Sequence, residues 1–457
     1  MSQASAGAAA ASRWLLLLIV LASLLLSALV PPLQSPDELD HLKRAYVLSR
    51  GHLLLQTPPG GSASGGAVDT GLLAYLDAYW ALPFKPQQKV TPALLERTRA
   101  MQWSGEKRFD TAPGTGYYLP LAYLPQAVAL AVGRHAGLSI DVSYRAARLL
   151  SLLTVLALAG LAMRLFPMPP VVIGLLALPM TLFQLSSATL DAVTYALTLL
   201  ALACYLHAAR ARAATRPGVL VAFSVAVFIV ITCRVHLFPL LLLFAALWRM
   251  TGRRAVLWAG LAVGAAGLAW TAWALHSTVD TRVVVGAPPR TVLLYYLTNP
   301  AALPAVISDT VAAYWHAYVE TFIGRLGWLD AAFDLEQRAW LGGGLLLLAA
   351  ASIGPFWRWR RPEIGWRLLL LACSAASVLL IFVALLVAWN PHPARFIDGV
   401  QGRYFWAPVL MACLALAPSA EASGRLHRGA LVVAQVVFIA FSAYSTAELL
   451  LARYWVA

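Results

Sequence analysis

The sequence predicts an all-α, polytopic integral membrane protein with about eleven transmembrane helices and membrane-surface helices in a large first outer loop. Three observations carry this. Sixty per cent of the 457 residues are hydrophobic and only 12% are charged, far from the soluble average. The apolar residues come in runs of roughly 20, the length that crosses a hydrocarbon core. The arginines fall in short connections between those runs. The net charge of +14, from 34 Lys and Arg against 20 Asp and Glu, therefore reads as orientation signal and headgroup contact. A nucleic-acid partner is not implied.

Taken in order, the expected spans are residues 14–30, 146–164, 170–187, 191–209, 218–234, 237–249, 255–275, 341–357, 366–389, 404–418 and 429–451. The first has one preceding arginine, ends in Pro31-Pro32 and lacks a small-residue cleavage site, so it reads as an uncleaved span. Tyr117 to Val132 is also apolar but holds Pro120 and Pro125. Charge decides its treatment. With this stretch left uncrossed and the N-terminus cytoplasmic, four basic clusters share the cytoplasmic side. They are Arg210/Arg212/Arg216, Arg249/Arg253/Arg254, Arg358/Arg360/Arg361/Arg367 and Arg425/Arg428. Tyr117 to Val132 is accordingly expected to be a partly embedded or surface helix.

This parity makes residues 1–457 one membrane domain with extracytoplasmic regions at 31–145, 276–340 and 390–403. The first holds Gly60-Gly61-Ser62-Ala63-Ser64-Gly65-Gly66, which reads as a flexible surface segment. The second holds Asn299-Pro300 and an amphipathic helix expected near Ser308 to Phe322, lying along the membrane. Trp357-Arg358-Trp359-Arg360-Arg361 reads as a cytoplasmic interface anchor. Cys204, Cys233, Cys373 and Cys413 are widely spaced inside apolar runs and read as small buried hydrophobes. There is no nucleotide-binding glycine loop, no internal repeat and no soluble domain large enough for a nucleotide-sugar.

Function is sought in Ser35-Pro36-Asp37-Glu38-Leu39-Asp40-His41, directly after the first span. Three carboxylates and an imidazole at a membrane boundary are costly unless used. The same residues also make a capping box, with Ser35 as N-cap, Pro36 at the first helical position and Glu38 three residues after the cap. Parity brings further polar residues to the same side: Asp191 before the fourth span, Arg234 and His236 between the fifth and sixth, and Gln401, Arg403 and Tyr404 at the tenth. Each has a structural alternative. Asp191 would cap a helix, Arg234 would snorkel to the interface, and Arg403 would balance Asp398 or Asp37. His41 and His236 lack the spacing of a metal pair. Together, however, an acid and converging arginines beside lipid suit a reaction on a lipid-linked phosphate. Arginine's planar fork matches phosphate oxygens, and a carboxylate accepts the proton of an acceptor hydroxyl.

Several motifs carry a resemblance. Pro31-Pro32-x-x-Ser-Pro-Asp37-Glu38-x-x-His41, Tyr117-Tyr118-x-Pro120-x-x-Tyr123-x-Pro125, Gly324-Arg-Leu-Gly-Trp328-Leu-Asp330 and Gln401-Gly402-Arg403-Tyr404-Phe405 resemble those of the domain-of-unknown-function 2142 family of bacterial membrane proteins. That family in turn resembles glycosyltransferase superfamily C. The resemblance implies a transferase in the bacterial inner membrane, its site facing the periplasm or cell exterior, that uses a polyprenyl-phosphate-sugar donor and a glycan, lipid or other envelope acceptor. It implies Asp37 or Glu38 as general base and assigns Asp191 to a recurring Thr-Leu-Asp. Arg403, Arg234, His236 and Gln401 are the expected donor-phosphate residues, with Asp40, His41, Asp191, Tyr117, Tyr118 and Tyr404 supporting the pocket. A divalent cation shared by Asp37, Asp40, His41 and Asp191 is left open. The competing readings are a transporter or flippase of a lipid-linked sugar and a non-catalytic factor for surface-polymer assembly. The lack of repeats and of midplane charges weighs against the transporter.

Overall fold

The computed structural model describes residues 3–282, 286–354, 359, 361–417 and 425–456. The Trp357 to Arg361 anchor lies outside them except for Trp359 and Arg361. Six helices among the described residues are long and apolar enough to cross a bilayer. They are α1 (Gln3–Leu29), α6 (Ile140–Leu165), α9 (Asp191–Ala211), α12 (Arg254–Ser277), α16 (Arg361–Ala388) and α18 (Arg425–Tyr454). The protein is thus a multi-pass, predominantly helical membrane protein. Its centre is α9, whose most apolar stretch is 89% buried inside the protein, against 17% for α12 at the periphery.

Shorter apolar helices fill the places between. The stretch expected at 170–187 divides at Leu178-Pro179 into α7 (Pro170–Ala177) and α8 (Pro179–Leu185), because proline cannot donate to the preceding turn. The carbonyls released there are taken up by side chains: Leu175 accepts from Thr181 Oγ1 and Trp406 Nε1, and Ala177 from Ser442 Oγ. Such repair is what allows a break at membrane depth. Beyond α9, the chain forms α10 (Pro217–Cys233), a 3-10 stretch at Val235–Leu241, and α11 (Leu242–Thr251). Further on come α15 (Leu335–Ser352) and α17 (Trp406–Leu416).

Side-chain contacts fix which helix ends share a side. Trp455 Nε1 donates to Leu29 O at one end of α1 and α18. At the opposite end Val171 N–H donates to Ser352 Oγ, and Arg367 holds the carbonyls of Ala415 and Ala417. The four cysteines are free, three of them buried and Cys413 half-buried.

Between α1 and α6 lie α2 (Glu38–Ser49), α3 (Thr70–Tyr79), α4 (Pro92–Arg99) and α5 (Leu124–His135), with the strands β1 (Gly65–Asp69) and β2 (Lys107–Thr111) paired antiparallel. Two expectations change here. The stretch expected to be one helix from Tyr117 begins as 3-10 turns at Thr115–Tyr117 and Pro120–Tyr123, and only α5 is helical. Its 12 residues reach about 18 Å, short of the ~30 Å needed to cross. The glycine-rich segment is a surface loop only in its first part, where Gly60 and Ser62 are exposed. Ala63 to Gly66 are buried, Ala63 bridges to Asp280, and Gly65 lies so close to β2 that a Cβ would stand 2.0 Å from Asp110 O. Glycine is there for close backbone approach.

In the second region, α13 (Pro289–Thr298) and α14 (Ala302–Ile323) meet at a 103° bend across Asn299-Pro300. The expected helix near Ser308 to Phe322 is the body of α14. A short hairpin, β3 (Arg325–Leu326) and β4 (Ala331–Ala332), follows.

Candidate functional site

The site is built on the turn that leaves α1. Ser35 O accepts from Glu38 N–H at 3.1 Å, and Asp37 has φ 61°, ψ 5°. Proline at the second position and a left-handed residue at the third are the signature of a type II turn, and aspartate tolerates that conformation better than most side chains. The capping-box reading is therefore corrected. Helix α2 begins at Glu38, Asp37 precedes it without a side-chain cap, and Ser35 Oγ turns to Gln184 Oε1 at 3.4 Å. Only the return half of the box forms, with Glu38 Oε2 accepting from Ser35 N–H at 3.3 Å.

The two adjacent carboxylates have different surroundings. Glu38 is fully buried. Its oxygens accept from Tyr144 OH at 2.8 Å, Ala188 N–H at 2.7 Å and Arg148 Nε and Nη2, each at 3.3 Å. Arg148 also donates to Val30 O at 2.8 Å and Pro31 O at 3.1 Å. Sequence reasoning did not single out Arg148 or Tyr144; the available signal was an arginine inside an apolar run. Asp37, in contrast, is 49% exposed and has a single ion-pair neighbour among the described residues, Arg403 Nη2 at 4.0 Å.

Arg403 reaches that position through Gly402. The 3-10 turn Gly402–Phe405 presses on α14, where a Cβ on Gly402 would lie 2.0 Å from Tyr318 O, and Gly402 N–H donates to Thr321 Oγ1 at 2.7 Å. The buried guanidinium of Arg403 faces Asp191 Oδ2 at 3.4 Å. The other oxygen of Asp191 pairs with Arg234, and Arg234 stands over the Tyr118 ring at 5.5 Å. Asp191 is the first residue of α9, with Leu190 before it and no side-chain cap bond. It therefore bridges two arginines and does not cap the helix. Nε and Nη1 of Arg403 make no hydrogen bond within the described residues, which leaves donor capacity for a ligand.

Two adjoining cavities open here. The smaller, about 20 Å³, is bounded by Asp191, Arg234, His236, Arg403 and Tyr404. The larger, about 200 Å³, shares Arg234, His236 and Tyr404 and adds Tyr117, Tyr118 and the apolar face of α16 at Ile381, Ala384 and Leu385. Charge thus sits at one end of a mainly aromatic and aliphatic space. Gln401, which precedes the Gly402–Phe405 turn, lines neither cavity, and its side-chain carbonyl is buried without a hydrogen-bond partner among the described residues.

His41 and Asp40 face other partners. His41 Nδ1 is 2.7 Å from Tyr123 OH. Burial, against the pull of Asp37 and with the push of Arg234 and Arg403, lowers its pKa to about 4, while burial raises that of Tyr123. The neutral imidazole and the protonated phenol share one hydrogen bond, whose direction is set by the imidazole tautomer. Asp40 pairs with Lys43 at 2.9 Å; burial raises its pKa and Lys43 opposes that rise. Lys43 also reaches Asp110 at 3.5 Å and the carbonyl of Thr111. The residues do not fit a shared cation. Asp191 is held by two arginines and His41 by a phenol, and among the described residues no three His, Cys, Asp or Glu side chains are grouped to hold a metal.

No curated protein and no solved structure matches the chain. The family described as "predicted membrane protein (DUF2142)" matches residues 17–413, which spans the acidic turn, Asp191, Arg234 and the Arg403 segment. With nearly the whole helical array and every site element inside that match, the chain belongs to the DUF2142 family of membrane proteins.

Proposed function

We propose that the protein is an inverting glycosyltransferase that moves a sugar from a polyprenyl-phosphate donor to an envelope acceptor on the extracytoplasmic face. The observation that carries this reading is the half-exposed Asp37 carboxylate 4.0 Å from Arg403, an arginine that lines a small charged cavity together with Arg234, next to the larger, mainly apolar cavity that Arg234 also lines. In the step, the acceptor oxygen bonds to the anomeric carbon as the bond from that carbon to the donor phosphate oxygen breaks. Asp37 takes the acceptor proton, and polyprenyl phosphate leaves with the bonding electron pair. That leaving group is a stable anion, so no second carboxylate must protonate it, in contrast to glycoside hydrolysis. Arg403 and Arg234 meet the developing phosphate charge. The tyrosine-lined cavity beside α16 receives the first isoprene units. Glu38, its oxygens already occupied, supports the turn and does not act as base.

In this reading the eleven expected crossings, six of them long single helices and the others shorter or broken apolar helices, start from a cytoplasmic N-terminus. Leu29, Asp191, Arg234, Arg403 and Trp455 lie at one end of the bundle, Pro170, Ser352 and Arg367 at the other. Residues 31–145 and 276–340 then form the extracytoplasmic cover, and the protein resides in a bacterial inner membrane.

Binding of the product lipid tests the site without knowledge of the sugar. In nanodiscs, native mass spectrometry with polyprenyl phosphate is expected to show saturable binding that Arg403→Gln weakens roughly tenfold or more, since a hydrogen bond to a charged group contributes ~1.5–3 kcal/mol. Equal binding by wild type, Arg403→Gln and Arg234→Gln would contradict the assignment.

A further inference from the structure

We infer that Trp328, Asp330 and Arg453 are positioning residues for Asp37, so that the end of the last helix, beyond the family-matched segment, holds the acidic turn in working geometry. The turn is strained and needs external support. Leu33 has φ 65° and Asp37 has φ 61°, and a bulky leucine in the left-handed region persists only where its surroundings hold it. On one side Leu33 N–H donates to Tyr144 OH at 3.1 Å. On the other, Leu33 O accepts from Trp328 Nε1 at 3.0 Å.

Trp328 is itself fixed. Its N–H donates to Asp330 Oδ1 at 3.1 Å, and the edges of Trp80 and Phe84 close on its ring at 5.4 and 6.1 Å. Asp330 Oδ2 accepts from Phe84 N–H at 2.8 Å and pairs with Arg453 Nη2 at 2.7 Å. Arg453 donates further to Leu82 O at 2.6 Å. The neighbouring C-terminal residues continue the clamp. Tyr454 O accepts from Val90 N–H at 2.8 Å, and Trp455 Nε1 donates to Leu29 O. The end of α18 therefore ties together the end of α1, residues 82–90 and the hairpin loop between β3 and β4, with Trp328 as the contact that reaches the turn. None of the three touches Arg403, Asp191 or the cavity.

The first readout needs no substrate, and the second rests on the transferase reading. In the full-length protein in nanodiscs, hydrogen–deuterium exchange of peptides covering residues 31–38 should be about fivefold faster in Trp328→Phe, the change expected for one lost hydrogen bond. It should be faster again in Arg453→Gln, with restoration toward wild type in Arg453→Lys. Peptides from α9 and α16 should be unchanged. With a turned-over donor, both impaired variants should lower kcat and leave the donor KM unchanged, because the arginine site is intact. Unchanged exchange at 31–38, or faster exchange spread equally over α9 and α16, would overturn the inference. If exchange responds as stated but no polyprenyl-phosphate sugar is turned over by the wild type, the positioning network stands and the transferase reading fails.

Discussion

Two charged clusters one residue apart in sequence differ in how completely they are satisfied. Around Glu38 every carboxylate oxygen is engaged, the site is sealed, and Arg148 uses its remaining donors on the backbone of the same turn. Around Asp37 the carboxylate is half exposed, its arginine is 4.0 Å away, and that arginine has nitrogens without hydrogen bonds beside a cavity. A buried ion pair with saturated geometry fixes structure; one left open beside a cavity is available for chemistry. The comparison also explains why charge at a membrane boundary alone cannot distinguish the two.

The largest effect that would sharpen this contrast is on stability. Arg148→Met leaves Glu38 buried and uncompensated, which costs about 3–5 kcal/mol, read as a lower unfolding midpoint in mixed micelles. Adding Glu38→Gln should recover part of that loss; a mild effect of Arg148→Met alone would mean the pair is not structural. Next is Gly402→Ala. Its methyl would meet Tyr318 O at 2.0 Å, displacing the Arg403 turn from α14. Misplacement of about 1 Å at a reacting centre can cost on the order of a hundredfold in rate; turnover within twofold of wild type would show that the close approach is not needed. The smallest effect concerns pH. His41 is held neutral, its pKa lowered from 6.5 to about 4, so the unfolded chain binds the proton first. Its contribution is complete above pH 6.5 and is lost as pH falls through 4. The midpoint difference between wild type and His41→Gln should therefore shrink on acidification from pH 7 to 4.5, and a constant difference would mean that His41 is not held neutral by burial.

Much of the arrangement was legible from charge and period. The basic connections placed Asp37, Asp191, Arg234 and Arg403 on one side, and the structure brings those side chains into one cluster. The same argument kept Tyr117 to Val132 from being counted as a crossing, and the structure divides that stretch into 3-10 turns and the 12-residue α5. Local motifs were less reliable. Ser35-Pro36-x-Glu38 suits both a capping box and a type II turn, and the choice was made by Gln184 and Arg148, more than 100 residues away. The Gly60 to Gly66 segment reads as flexible by composition, yet its structure depends on β2 and Asp280, contacts that no local window contains. Trp328 and Asp330 belonged to a motif noticed in the sequence, but their role appears only with Arg453 folded against them.

The central claim is that Asp37 provides the base and Glu38 the scaffold. It is tested most directly by single-turnover release of polyprenyl phosphate from polyprenyl-phosphate hexoses and pentoses in nanodiscs, comparing wild type with Asp37→Asn. Asparagine keeps the left-handed turn and removes the proton acceptor. The account predicts release slowed by about a hundredfold or more with unfolding midpoint and polyprenyl-phosphate binding unchanged; release at the wild-type rate would contradict it.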